Sequence, residues 1–156
     1  MQSRTARLAI GTLGAIAGAL LGALVWAGVS SATGYQIGYM AVLVGYLSGY
    51  GMRTLGGGRD RADGFVAGAV ALAGCVLGNL LTVAADVANH LHKPLEPLVL
   101  RLLTSPGVSF ALLQSGFGIM DVLFYAIAAY AGYRTAFKAG AERAAPAPVQ
   151  PAPEAQ

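Results

Sequence analysis

Charge is scarce in this sequence. Only 11% of its 156 residues are Asp, Glu, Lys or Arg, against about 25% in an ordinary soluble domain. A water-soluble chain of this length needs a polar surface that so few charges cannot supply. Cysteine is almost missing: Cys75 stands alone, which excludes a disulfide framework and any cysteine-rich zinc or iron–sulfur site. Histidine is confined to His90 and His92. Strand-type alternation is absent, which argues against a barrel. The combination of low hydrophobicity and high net charge is absent too, so global disorder is excluded. What is present is apolar: 56% hydrophobic residues, 22 glycines and a mean hydropathy of +0.61. These values describe an integral membrane protein.

The charged residues measure the spans. None occurs between Arg7 and Arg53, a gap of 45 residues. One helix of that length would run about 68 Å, more than twice the roughly 30 Å hydrocarbon core. The gap therefore holds two spans, about 8–29 and 35–52, with a turn marked by Ser30, Ser31, Thr33 and Gly34. The uncharged stretch Gly64 to Ala85 centres a third span, about 65–87, and a fourth covers about 119–137. In lipid each must be helical, because nothing there pairs an open backbone amide or carbonyl. The predicted fold is all-α: a polytopic bundle of four transmembrane helices forming a domain over 1–143. Between the third and fourth spans, residues 94–118 combine Pro94, Pro97 and Pro106 with many leucines. They read as an interfacial or re-entrant helical segment. A fifth span is the alternative, and it would carry Arg101 and Pro106 into lipid. Residues 144–156 are Pro/Ala-rich and read as a disordered cytoplasmic tail.

Lys and Arg gather on the cytoplasmic side of a membrane. Arg4 and Arg7, then Arg53, Arg59 and Arg61, then Arg134, Lys138 and Arg143 make eight of the ten cations. That distribution fits an even number of spans with both termini cytoplasmic, in a bacterial inner membrane. A secretory signal competes for the amino end, with Ser30-Ser31-Ala32 as a cleavage site. Its apolar stretch, Leu8–Val29, is too long for a signal core of about 7–15 residues.

Lipid is as apolar as leucine, so spans are held by close contact, dispersion and a few polar bonds. Gly14, Gly18 and Gly22 recur every fourth residue in the first span; Gly38, Gly45 and Gly49 mark the second; Gly74 and Gly78 mark the third. Such spacing keeps small residues on one helix face. Tyr35, Tyr39, Tyr46 and Tyr50 follow glycines at an eleven-residue repeat and read as a stripe of interfacial rings. The grooves serve either a tight monomeric bundle or a homo-oligomer.

Chemistry-bearing residues are few. Cys75, Asn79, Thr82, Asp86 and His90 are spaced 4, 3, 4 and 4 along the third span, and Asp121 begins the fourth on the same side. A structural role is one reading: Asn79 and Thr82 bond across helices, Asp86 and His90 sit among headgroups, and Asp121 caps its helix. The other is a shallow outer site for an ion or small solute. Asp86 and His90 with His92 form too poor a ligand set for a metal site. Gly56-Gly57-Gly58-Arg59-Asp60-Arg61 lacks the Gly-Lys-Ser/Thr ending of a phosphate loop. Arg53, Arg59 and Arg61 instead suit anionic lipid headgroups. The cations are divided among membrane-edge loops, so no nucleic-acid surface is implied. No cofactor and no catalytic triad are legible.

The run Gly38-Tyr39-Met40-Ala41, then Gly45-Tyr46, Gly49, Arg53, Gly57 and Gly58, resembles a pattern in small uncharacterised bacterial membrane proteins. So do Gly74-Cys75 with Gly78-Asn79, and Asp121-Val122-Leu123-Phe124-Tyr125 followed by Ala128 and Tyr133-Arg134. The resemblance covers residues 35–135 and implies a four-helix membrane fold with no known activity. The sequence thus predicts a non-catalytic accessory, assembly or homo-oligomeric helix-packing protein. The alternative is a small transporter, channel or ion-binding protein.

Overall fold

The structure, a computed structural model, describes residues 3–35, 38–58, 60–92, 94–116 and 118–143, with the backbone alone at 103, 112, 115, 116 and 138–143. The described chain is all-helical. In order the helices are α1 (Arg4–Thr33), α2 (Met40–Gly56), α3 (Arg61–Leu91), α4 (Leu95–Thr104), α5 (Pro106–Gly116) and α6 (Ile119–Arg143). By length and composition, α1 and α3 are able to cross a membrane. The expected tail at 144–156 and Arg59 lie outside the described residues.

Local chemistry sets the helix ends. At the start of α1, Ser3 Oγ accepts the Ala6 amide at 3.2 Å, satisfying one of the open donors of a first turn. The helix runs through the predicted turn residues Ser31 and Thr33. Their hydroxyls donate to the Ala27 and Val29 carbonyls at 2.8 Å, so they are absorbed into the helix. Only Gly34, at φ 69°, ends it, because that left-handed conformation suits glycine. The second span also needs correction. Its helix begins at Met40, after a turn at Gly38-Tyr39, not at residue 35. The tyrosine repeat is therefore interrupted: Tyr35 and Tyr39 precede the helix, while Tyr46 and Tyr50 stack within it, centroids 6.3 Å apart. The third and fourth helices extend beyond the predicted 65–87 and 119–137, since polar residues at their ends continue the helix past the apolar run. The segment between them is two short helices, broken where Pro106 opens α5, a position that tolerates a missing amide hydrogen.

Four helices form the bundle. Each of α1 and α6 packs against both α2 and α3, α2 and α3 also touch each other, and α1 and α6 do not meet among the described residues. The section is a rhombus with α2 and α3 on its short diagonal. The short helices α4 and α5 pack on each other and on α3. The core is built from small residues: Ala15, Ala19, Ala41, Ala67, Ala71 and Ala128 are buried, with Trp26, Val44, Met52 and Cys75 the largest fully buried side chains besides Ser48.

Glycine decides these approaches. A Cβ placed on any of Gly14, Gly18, Gly22, Gly38, Gly45, Gly49, Gly74 or Gly78 would fall within 3.0 Å of a neighbouring helix. Gly14, Gly18 and Gly22 face Gly51, Leu47 and Val44 of α2. Gly38 (just before α2), Gly45 and Gly49 face Phe124, Ala128 and Gly132 of α6. Gly74 and Gly78 face Val44, Ala19 and Trp26. Gly11, Gly51, Gly56 and Gly132 also stand at crossings. Thus α2 carries two small-residue faces, one for α1 and one for α6. Gly28 has open space around it, which supplies a control. Gly18→Leu must push into the Leu47 carbonyl and should lower stability by about 3 kcal/mol or unfold the bundle. Gly28→Leu should change it by less than about 0.5 kcal/mol. Denaturant or thermal unfolding of both variants in detergent, followed by helical circular dichroism, measures the difference.

Candidate functional site

The predicted polar stripe on α3 is divided between the interior and the surface. Cys75, Asn79 and Thr82 are buried, whereas Asp86 and His90 are exposed. The cause lies in what packs on each part of the helix. As far as Thr82, α3 buries the face it turns to α1, α2 and α6. Farther out the buried residues are Ala84 and Ala88, nearly opposite, because α4 and α5 cover α3 there. A cavity of about 120 Å³ at that junction is lined by Val83, Ala84, Val87, Leu98, Arg101, Leu102 and Val108. The four-residue step from Ala84 to Ala88 is the sequence signal for this second face.

Inside the bundle the polar groups form bonds between helices. Tyr125 Oη of α6 donates to the Cys75 carbonyl of α3 at 3.2 Å and accepts Asn79 Nδ2 at 3.5 Å. Cys75 Sγ lies 3.8 Å from the Ala41 carbonyl of α2. Thr82 turns inward on its own helix, donating to the Gly78 carbonyl at 2.9 Å. Asp121 serves α6 itself: its Oδ2 accepts the Gly118 amide at 2.8 Å, placing a carboxylate at the positive end of a helix dipole. Among the described residues, no three His, Cys, Asp or Glu side chains gather to hold a metal.

No protein-family model, curated protein or solved structure matches the chain.

Two polar features are invisible in the stripe pattern. Ser48 of α2, fully buried, donates to the Ala67 carbonyl of α3 at 2.9 Å. At the opposite end of the bundle from Asp121, Asp60 Oδ2 receives Arg4 Nε and Arg7 Nη2, each at 3.2 Å. The Asp60 amide donates to Asp63 Oδ2 at 3.2 Å, so two acids three residues apart start α3 in the manner of a capping box. That spacing was available in the sequence. The ion pairs join the start of α1 to the start of α3, two helices that are parallel neighbours.

Chemically, these groups hold helices. A buried tyrosine hydroxyl between a carbonyl and an amide is a fixed connector between α3 and α6. Tyr125→Phe removes that connector while keeping the ring, and should cost about 1 kcal/mol of bundle stability. The midpoint of unfolding in detergent checks this; an unchanged midpoint would show that the hydroxyl contributes nothing.

Proposed function

We propose that this chain is a small non-catalytic integral membrane protein in which α1, α2, α3 and α6 all cross the bilayer. The observation that carries this is the distribution of side-chain size. Alanine, glycine and serine make up most of the interior, while Leu13 (65% exposed), Leu24 (62%), Phe65 (69%), Met120 (63%) and Tyr130 (58%) point outward. In water, a continuous surface of this kind drives association. Lipid solvates it without penalty, and dispersion between close-packed small residues then holds the helices. With 17 residues, α2 reaches about 26 Å and spans a bilayer when nearly upright. Arg4, Arg7, Arg53, Arg61 and Arg134 share one end of the bundle, and the tendency of Lys and Arg to gather inside supports assigning that end, with both termini, to the cytoplasmic side of a bacterial inner membrane. The helices α4 and α5 then lie at the outer surface.

The glycine faces are occupied within the chain. This favours a self-contained bundle acting as an accessory or assembly subunit, so that a second copy or a partner would meet its outward apolar side chains instead. Ion or solute binding at Asp86, His90 and Asp121 has less support, because the first two are exposed and Asp121 is engaged by the Gly118 amide.

Alkaline carbonate washing should leave the chain in the membrane pellet. A C-terminal fusion to a phosphatase active only outside the cytoplasm should stay silent, while a fluorescent protein at the same place should fold and fluoresce. Release by carbonate, or an active phosphatase, would overturn the proposal.

A further inference from the structure

The face of α6 turned away from α1 is flanked by two grooves, and their chemistry differs along their length. Between α2 and α6 lies a groove of about 400 Å³. Its part nearer mid-helix is lined by Tyr46, Ile127 and Tyr130, and its inner end by Arg53, Arg134 and Thr135. Among the described residues, no acidic side chain lines it. Between α3 and α6 lies a second groove, also about 400 Å³, walled by Phe65, Leu72 and Tyr133 and floored by Gly64 and Gly68. Tyr130 borders both grooves and forms the ridge between them. Its hydroxyl accepts Arg134 Nη1 at 3.0 Å, one turn farther toward the inner end, so the guanidinium is held above the ridge.

We infer that this ridge seats one anionic diacyl phospholipid of the inner leaflet. Its phosphate lies at Arg134 and Arg53, and its two acyl chains straddle Tyr130 in the two grooves. The inference rests on the membrane reading above. Guanidinium groups match phosphate oxygens in geometry and charge, and Thr135 adds a hydroxyl. From Ile127 to Arg134 the helix rises about 10 Å, so the change from apolar wall to cationic end follows the change from acyl chain to headgroup. A free phosphate ion would use only the cationic end and leave both apolar walls without a role; a zwitterionic lipid would bring its own cation to a site already cationic. Gly64 and Gly68 let Tyr133 and the Ala129 carbonyl of α6 approach α3 closely, and the groove between Phe65, Leu72 and Tyr133 is walled by apolar groups that suit a hydrocarbon chain.

The test uses the full chain in nanodiscs of equal parts phosphatidylglycerol and phosphatidylcholine, extracted gently and examined by native mass spectrometry for retained lipid. Phosphatidylglycerol should be retained in preference to phosphatidylcholine, and excess inorganic phosphate should not displace it. Arg134→Gln, at an exposed position, should lower that retention about fivefold, the effect of roughly 1 kcal/mol for one cation at a lipid surface. Arg134→Lys should fall between. Equal retention of the two lipids, displacement by inorganic phosphate, or full retention in Arg134→Gln would overturn the lipid site while leaving the bundle in the membrane. Release of the unaltered chain by alkaline carbonate would instead overturn both readings together.

Discussion

Backbone-to-backbone approach is the constraint on which the rest of this structure depends. Gly14 of α1 and Gly51 of α2 face each other so closely that a methyl group on either would strike the carbonyl of the other. Gly11 and Gly56 repeat the arrangement nearer the Asp60 end of the bundle, where a Cβ on Gly56 would lie 2.7 Å from the Gly11 Cα. Once two helices are this close, no large side chain fits between them. Most leucines, phenylalanines and tyrosines go to the outside, and the interior is mainly alanine, with Trp26, Val44, Met52 and Tyr125 also buried. The outward apolar surface is thus a consequence of the inward glycines. Two of the few buried hydroxyls, those of Ser48 and Tyr125, reach a carbonyl of the neighbouring helix directly.

The all-helical architecture was legible because charge is so thinly spread. The charge-free intervals 8–52 and 64–85 locate α1 with α2 and the centre of α3, an apolar run past Asp121 locates α6, and proline marks the two short helices. Helix ends were less legible. Ser31 and Thr33 look like turn residues by type, yet each bonds the carbonyl four residues back, an option that residue type alone does not reveal. Gly34 and Gly38 fit the four-residue spacing of a continuous groove, but Gly34 serves as a terminator at positive φ. Spacing identifies which glycines could share a face; it does not show whether the backbone between them is helical.

The candidate polar site was legible as a stripe and misleading as a cluster. Helical periodicity correctly aligns Cys75, Asn79 and Thr82 toward the interior. It would carry Asp86 and His90 there too if α3 kept the same neighbours along its length. Instead α4 and α5 take the opposite face near Ala84 and Ala88, and the acid and the histidine are turned out. A one-helix pattern contains no information on where a neighbour ends. Ser48 was overlooked for a related reason. A lone serine among glycines reads as one more small residue, and only the position of the Ala67 carbonyl gives its hydroxyl a purpose.

Glycines repeating every fourth residue leave an ambiguity that those few polar bonds remove. A helix sliding by four residues, about 6 Å, would still present a glycine at many of its crossings. The close-packed surface alone therefore does not select one register. A side chain that must meet a particular carbonyl does. Ser48 to the Ala67 carbonyl fixes α2 against α3, Tyr125 to the Cys75 carbonyl fixes α6 against α3, and the arginines on Asp60 fix α1 against α3. All three converge on α3, one of the two helices on the short diagonal of the bundle, so each surrounding helix is keyed to a common reference. Each bond contributes little to total stability, but an unsatisfied hydroxyl in a slipped register would cost the desolvation of that group. These three contacts thus make one packing of the small-residue faces preferable to the next.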